Sequence, residues 1–166
     1  MKITEIIKNM ILDEYPDYLI YPNGFVYSLK RNKFIKSRYD RYGYLRHSLK
    51  NIITNKIDTI LVHHLVGKKY LDYDRSSGLI IDHIDNNKEN NDLTNLQIIS
   101  QKENNLKYYY KKINKNGLPA CINYTKKKKY TFKLKNFNCE RSFENLDDCL
   151  LYREEIFKSI LKDIMI

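Results

Sequence analysis

Asp82 and His83 are adjacent in the sequence, Asp85 follows two positions later, and asparagine recurs at 86, 87, 90, 91, 95, 104 and 105. A neutral imidazole titrates close to working pH, so it can take a proton from water. Carboxylate and amide oxygens are the ligands a hard divalent cation prefers. An activated water beside a hard cation is the equipment of phosphodiester hydrolysis. That reaction needs an aligned attack and charge stabilisation at the leaving oxygen. Asp-His-Ile-Asp alone is weak, because a surface histidine beside carboxylates is common. The spacing argues against a calcium loop, which needs a glycine at mid-loop and a closing bidentate glutamate.

The charge pattern names a class of partner. The 166 residues carry a formal net charge of +10. The stretch 80–105 is −3, between flanks of +6 and +7. Basic flanks around an acidic patch suit a nuclease, in which cations grip phosphates and a carboxylate holds a metal. An anionic polymer is the expected partner, with nucleic acid ahead of a membrane surface. Cys121, Cys139 and Cys149 are odd in number and lack Cys-x-x-Cys spacing. That argues against a disulfide framework and against structural zinc. With no apolar run of membrane-spanning length and no signal-peptide pattern, a cytoplasmic protein is expected. Fifteen tyrosines without tryptophan suggest half-wet packing on sheets.

Those residues need elements to position them, and the pattern predicts an α+β chain of three modules. Residues 1–55 read as a small β module after a short amphipathic N-terminal helix. Tyr18–Ile20 and Phe25–Ser28 are strands around an Asn23-Gly24 turn. Asp40–Gly43 turns into a further strand, Tyr44–Leu49. Basic residues, Arg31 and Arg46 among them, stand between the aromatics. Residues 56–112 form the centre. A strand over 57–62 leads into a helix through His63 and His64, of which one is expected to pack and one to be exposed. Residues 71–78 are a loop, 80–81 a strand, Asn86-Asn87 a turn and 96–99 a second strand. Ser100–Glu103 is a capping box, so Asn104 lies in the first turn of a helix. Residues 113–118 read as a linker within a third module, 113–166. There, strands at 120–124, 130–134 and 139–143 precede a helix capped by Asn145. Cys149, Tyr152, Ile156, Ile160 and Ile164 recur at helical spacing as its core stripe.

Residues 82–105 resemble the active site of HNH nucleases, the ββα-metal class. Asp82-His83-Ile84-Asp85-Asn86-Asn87, Asn95-Leu96 and Glu103-Asn104-Asn105 follow that family's order and spacing. Val62-His63-His64-Leu65-Val66 is similar to the Val-His-Arg-Leu-Val segment that precedes the site in phage and intron members. His64 departs from the usual Arg, and Asn86 from the usual Gly. Tyr18–Leu29 resembles the small module found before many such domains. Residues 117–157 resemble the three-strand-plus-helix DNA-binding domain of the ethylene-response-factor type. There, Tyr130 stands nearest the usual Trp.

The resemblance implies a homing-type DNA endonuclease that leaves 5′-phosphate and 3′-hydroxyl ends. His83 would be the general base. Asp82 and Asn104 would hold one divalent metal, Mg²⁺ first and Mn²⁺ as the alternative. Asn95 would tie the loop by side-chain to backbone hydrogen bonds and so aim His83. Asn86, Asn87, Asn90 and Asn91 read as ordinary loop residues. DNA contacts are expected from Lys126, Lys127, Lys128, Lys129, Lys133, Lys135 and Arg141, with Arg31 and Arg46 in the first module. Arg141 is the candidate for a base edge and the lysine run for phosphates. A monomer with one site would nick one strand. A non-catalytic DNA-binding regulator is the alternative, and an RNA-directed protein a further one. One geometric problem stands out. Neighbours on a strand face opposite sides, so Asp82 and His83 share a site only if the strand ends or bends there, or if they flank one phosphate.

Overall fold

The computed structural model describes residues 3–161. Ile164 of the expected helical stripe lies outside the described residues, as do Met1 and Lys2 of the expected N-terminal helix. The architecture is α+β, with several small sheets and four helices among the described residues. It divides into two compact units, Met1–Ile99 and Ser100–Ile166.

In the first unit, α1 (Ile3–Lys8) precedes a three-stranded antiparallel sheet of β1 (Tyr18–Ile20), β2 (Val26–Ser28) and β3 (Lys33–Phe34). The Asn23-Gly24 turn closes β1 on β2, with the Gly24 amide donating to the Tyr21 carbonyl at 2.9 Å. A second sheet holds β4 (Arg38–Tyr39), β5 (Leu45–Lys50) and β6 (Ile57–Leu61), with β5 in the middle. The two-residue strands β3 and β4 carry no legible alternation, and the sequence did not signal them. Helix α2 (Val62–Tyr70) follows β6 directly. β7 (Leu79–His83) then pairs with β8 (Leu96–Ser100).

Helix α2 is the spine of this unit because its apolar residues serve two cores. Leu65 packs with Tyr15, just before β1, and with Ile20, Val26 and Leu49 of the N-terminal sheets. Val62 and Val66 pack with Tyr73, Ile81 and Leu96 around β7 and β8. Gly67 lets β7 come close. A Cβ there would sit 2.1 Å from Ile81 Cδ1 and 3.2 Å from its Cγ1, so any larger residue would force the Ile81 side chain to move. Ile81 and His83 alternate on the same face of β7, so the packing that seats Ile81 also turns His83 toward α2.

In the second unit, α3 (Gln101–Lys111) begins with the expected capping box. The Glu103 amide donates to Ser100 Oγ at 3.2 Å, and the Ser100 amide to Glu103 Oε2 at 2.6 Å. Residues 113–118 are a closed turn. Asn114 Oδ1 accepts from the amides of Asn116 and Leu118, and its Nδ2 donates to the Ile122 carbonyl at 2.7 Å. β9 (Ile122–Tyr124), β10 (Tyr130–Leu134) and β11 (Cys139–Phe143) form an antiparallel sheet with β10 central. β9 starts two residues later than the sequence suggests, because Cys121 takes a left-handed φ of +72°. α4 (Leu146–Leu161) is capped by Asn145, whose Oδ1 accepts from the Asp148 amide at 2.8 Å. Its most buried residues are Cys149, Arg153, Phe157 and Leu161, while Tyr152, Ile156 and Ile160 flank them half-buried. The buried row is thus one position off the apolar stripe. Arg153 enters it by stacking on Tyr110 and Phe157 and pairing with Glu154 at 2.6 Å.

Candidate active site

Burial alternates along β7 up to its last residue, with Ile81 and His83 buried and Asp82 between them less so. Asp82 and His83 therefore leave it on opposite faces, at the point where the strand ends and the chain turns. Asp82 Oδ2 accepts from Gln97 Nε2 of β8 at 2.8 Å. His83 is 5% exposed and faces inward. The His63 ring meets it edge-on with centroids 5.0 Å apart, and the Tyr44 ring lies 6.1 Å away.

The residues between the two strands form a loop in which almost every polar side chain has a task. The Asn86 amide donates to the His83 carbonyl at 3.0 Å, and Asn86 takes φ +61°, a left-handed value asparagine tolerates. This is the position where the resembling family has glycine. Asp85 is the hub. Its Oδ1 accepts from the Asn87 amide at 2.7 Å and from Asn95 Nδ2 at 2.9 Å, and its Oδ2 accepts from Asn90 Nδ2 at 2.7 Å. Those donors hold the Asp85 carboxyl below its usual range, Asn90 most strongly. Asn95 closes the loop from the other side. Its Oδ1 accepts from the Asp85 amide at 3.1 Å, its Nδ2 also donates to the Asn90 carbonyl at 2.8 Å, and its own carbonyl accepts from the Ile84 amide at 2.9 Å.

Asn91 is not an ordinary loop residue. It is 3% exposed, and its Oδ1 lies 3.3 Å from His83 Nε2. The recurrence of asparagine hid it, since nothing in composition separates Asn91 from Asn90. His63 is also a buried neighbour of the site, 4% exposed, with a Nδ1 that has no hydrogen-bond partner. Burial first, then the charges of His64 and His83, push its pKa down to about 3. It stays neutral at working pH and adds no cation beside His83. His64 is half-buried, so both histidines pack and neither is exposed as expected. Lys88 reaches over the loop to the Tyr42 carbonyl at 2.9 Å and lies 4.6 Å from the Tyr44 ring centroid. The turn before β5 thereby joins the site.

Asn104 sits in the first turn of α3, next to Glu103 of the capping box, and is half-buried. Lys107, one turn further on, is 2% exposed. Sequence reasoning missed it because lysine is almost always at the surface. Among the described residues, no three His, Cys, Asp or Glu side chains gather as a metal site.

Candidate DNA contacts fall in two places. In the first unit, Arg31, Lys36, Arg38, Arg46 and Lys50 line a cleft of about 360 Å³ with no carboxylate in its wall. In the second, Lys126, Lys127 and Lys128 are exposed at the tip of the β9–β10 hairpin, and Lys129 pairs with Glu144 at 2.6 Å. Lys133 pairs with Glu140 across the sheet, and Lys135 is exposed just after β10. Arg141 lies opposite Phe132 in the register, on the face that packs against α4. Its guanidinium stacks 5.3 Å from the Phe143 ring centroid and 5.2 Å from that of Tyr152. No helix among the described residues is long and apolar enough to cross a membrane.

Comparison with known proteins points to HNH endonucleases. Residues 61–106 match the family model described as HNH endonuclease. An uncharacterized HNH endonuclease of Acanthamoeba polyphaga mimivirus is 38% identical over 94 residues, covering 56% of this chain and 27% of its own. The H-N-H endonuclease F-TflII of Escherichia phage T5 is 33% identical over 102 residues, covering 58% of this chain and 50% of its own. DNA endonuclease I-HmuI of Bacillus phage SP01 is 38% identical over 87 residues, covering 52% and 48%. A solved structure of the HNH homing endonuclease I-HmuI, described by its DNA binding and cleavage, is 37% identical with a TM-score of 0.50. It covers 55% of this chain and 52% of that one. The chain spans half the length or less of these curated relatives.

Proposed function

We propose that this chain, whose residues 61–106 belong to the HNH endonuclease family, is a site-selective DNA endonuclease of the homing type. It hydrolyses one phosphodiester bond and leaves 5′-phosphate and 3′-hydroxyl ends. The observation that carries the reading is His83 at the end of β7, buried against α2 and followed by a loop closed by Asp85 and Asn95. A base held this way is pre-aimed, which is what proton abstraction from an attacking water requires. Asn95 acts by fixing the loop, and His83 takes the proton. The donor set of Asp82 and Asn104, one carboxylate oxygen and one amide oxygen, suits a hard cation, Mg²⁺ or in its place Mn²⁺. Bound there, one such ion would supply charge stabilisation at the phosphate.

Double-stranded DNA is the proposed partner, with the chain acting as a monomer in three modules, 1–55, 56–112 and 113–166. The last of these is proposed to work as an ethylene-response-factor-type DNA reader. The carboxylate-free cleft with Arg31 and Arg46 supports phosphate binding by the first unit. In the second unit, Lys126–Lys129, Lys133 and Lys135 are proposed for phosphates. Arg141, exposed and stacked on Phe143 and Tyr152, is proposed for a base edge.

The test uses supercoiled plasmid and a library of randomised sites with Mg²⁺, beside His83→Ala and EDTA controls. Nicking or linearisation by the wild type alone, and only with metal, is the expected result. Salt-sensitive binding across the library with no cleaved product at any site would leave a DNA-binding regulator as the reading.

A further inference from the structure

We infer that Asn91 is a positioning residue that holds His83 as the Nε2–H tautomer, so that Nδ1 is the ring nitrogen that accepts the proton from water. This rests on the reading of His83 as the general base.

The orientation of the Asn91 amide decides the matter. Its Nδ2 donates to the Glu89 carbonyl at 2.9 Å and to the Lys88 carbonyl at 3.4 Å. Turning the amide over would set its oxygen against two carbonyl oxygens, so Oδ1 must face His83. An amide oxygen only accepts, so the Nε2 that lies 3.3 Å from it has to carry the hydrogen. A neutral imidazole holds one hydrogen, and Nδ1 is then its basic nitrogen. The distance is at the long end for such a bond, as is usual at catalytic groups without substrate.

Asn91 is itself braced by the first module. A Cβ added to Gly24 would lie 3.0 Å from Asn91 Cβ and 2.7 Å from Val62 Cγ1. Gly24 has φ +84°, so the Tyr21–Gly24 turn needs glycine both for its backbone and for this close approach. The same turn is fastened to the loop by the Leu93 amide, which donates to the Pro22 carbonyl at 2.8 Å. The tip of the N-terminal hairpin therefore presses on the residue that orients the base.

Two-bond ¹⁵N–¹H spectra of the histidine rings, recorded without DNA at alkaline pH, test this directly. A His83→Ala spectrum assigns the signal. The wild type is expected to show His83 with hydrogen on Nε2. Asn91→Ala is expected to lose that bias, and to lower kcat about tenfold to a hundredfold with KM little changed, the range for removing a partner that orients an active group. Hydrogen on Nδ1 in the wild type would overturn the inference, and so would an Nε2–H signal unchanged in Asn91→Ala. If Asn91→Ala does not fold, the wild-type spectrum still decides the tautomer, and Asn91→Ser repeats the comparison. The spectra need no cleavage, so absent nuclease activity would sink the proposed function and leave the tautomer result standing.

Discussion

The loop from Ile84 to Asn95 and the hairpin tip from Thr125 to Lys129 are both short, polar and rich in one residue type. They use that composition in opposite ways. In the loop, the side chains of Asn90, Asn91 and Asn95 bond to Asp85, to backbone groups and to His83. In the hairpin, the backbone and Thr125 close the turn by themselves, and three lysines extend into solvent. A short amide side chain donates and accepts at a fixed angle, so it can shape a loop. A long ammonium side chain supplies charge at the end of a flexible stem and shapes little. The first region should therefore respond to substitution in rate and structure, and the second in binding and salt dependence.

The largest break in that contrast should come at the end of β7. His83→Ala is expected to lower cleavage by about 10²–10⁴-fold, the usual share of a general base. DNA affinity should hold within a few-fold by gel shift. Equal losses of binding and cleavage would mean that His83 supports the fold and not the reaction.

Asn95→Ala should come next. It removes a side chain that donates twice and accepts once in a site 9% exposed. The Asp85 amide and the Asn90 carbonyl would lose their partner, a cost of about 1–3 kcal/mol. Thermal unfolding should register that cost, and limited proteolysis should show new cuts between residues 84 and 95. A loop that stays resistant would show that Asp85 suffices to hold it.

Acid offers a milder probe. Asp85 has its carboxyl held below the ordinary range by hydrogen bonds. A depressed folded value means that the carboxylate's contribution is fully present above the unfolded pKa and is lost only as pH falls through the depressed one. Exchange protection of the Asn87 amide should therefore survive acidification past the usual carboxylate range and collapse below it. Asp85→Asn should flatten that dependence, and an unchanged profile would place the acid sensitivity elsewhere.

How far the sequence reaches follows from the same contrast. The capping box at Ser100, the strand limits at 130–134 and 139–143, the Asn145 cap and the left-handed Asn86 were all legible, because each depends on a few adjacent residues. Asn91 was not. Its difference from Asn90 depends on Gly24, far away in the chain, which closes over it. Arg153 and Lys107 escaped for a related reason: a basic residue is read as exposed, whereas both are buried, Arg153 against the Tyr110 and Phe157 rings. Arg141 was legible as a cation and illegible as a stacked one, since only the pairing with Phe132 sets its face. Local chemistry was readable, and facing was readable only where the period was clean.

The smallest effect should come from the hairpin. Lys126, Lys127 and Lys128 are exposed, and the turn they occupy is closed by the Thr125 and Lys129 backbones. Lys128 takes φ +56°, so a change there to glycine relieves strain, whereas changes at Lys126 and Lys127 leave the backbone alone. Replacing Lys126 and Lys127 by Ala should leave thermal stability unchanged. Each lysine that meets a phosphate should account for about 0.9 of the slope of log K against log salt on duplex DNA. The double variant is thus expected to bind all sequences more weakly and to flatten that slope by up to about 2, with the cleavage rate at saturating DNA preserved. Arg141→Ala should behave differently, loosening sequence preference with little change in slope, if the guanidinium reaches a base. Were Arg141→Ala instead to lower the melting temperature and leave sequence preference intact, the stack on Phe143 and Tyr152 would be its whole role. The hairpin lysines would then be cationic contacts of the second unit that do not also hold the fold.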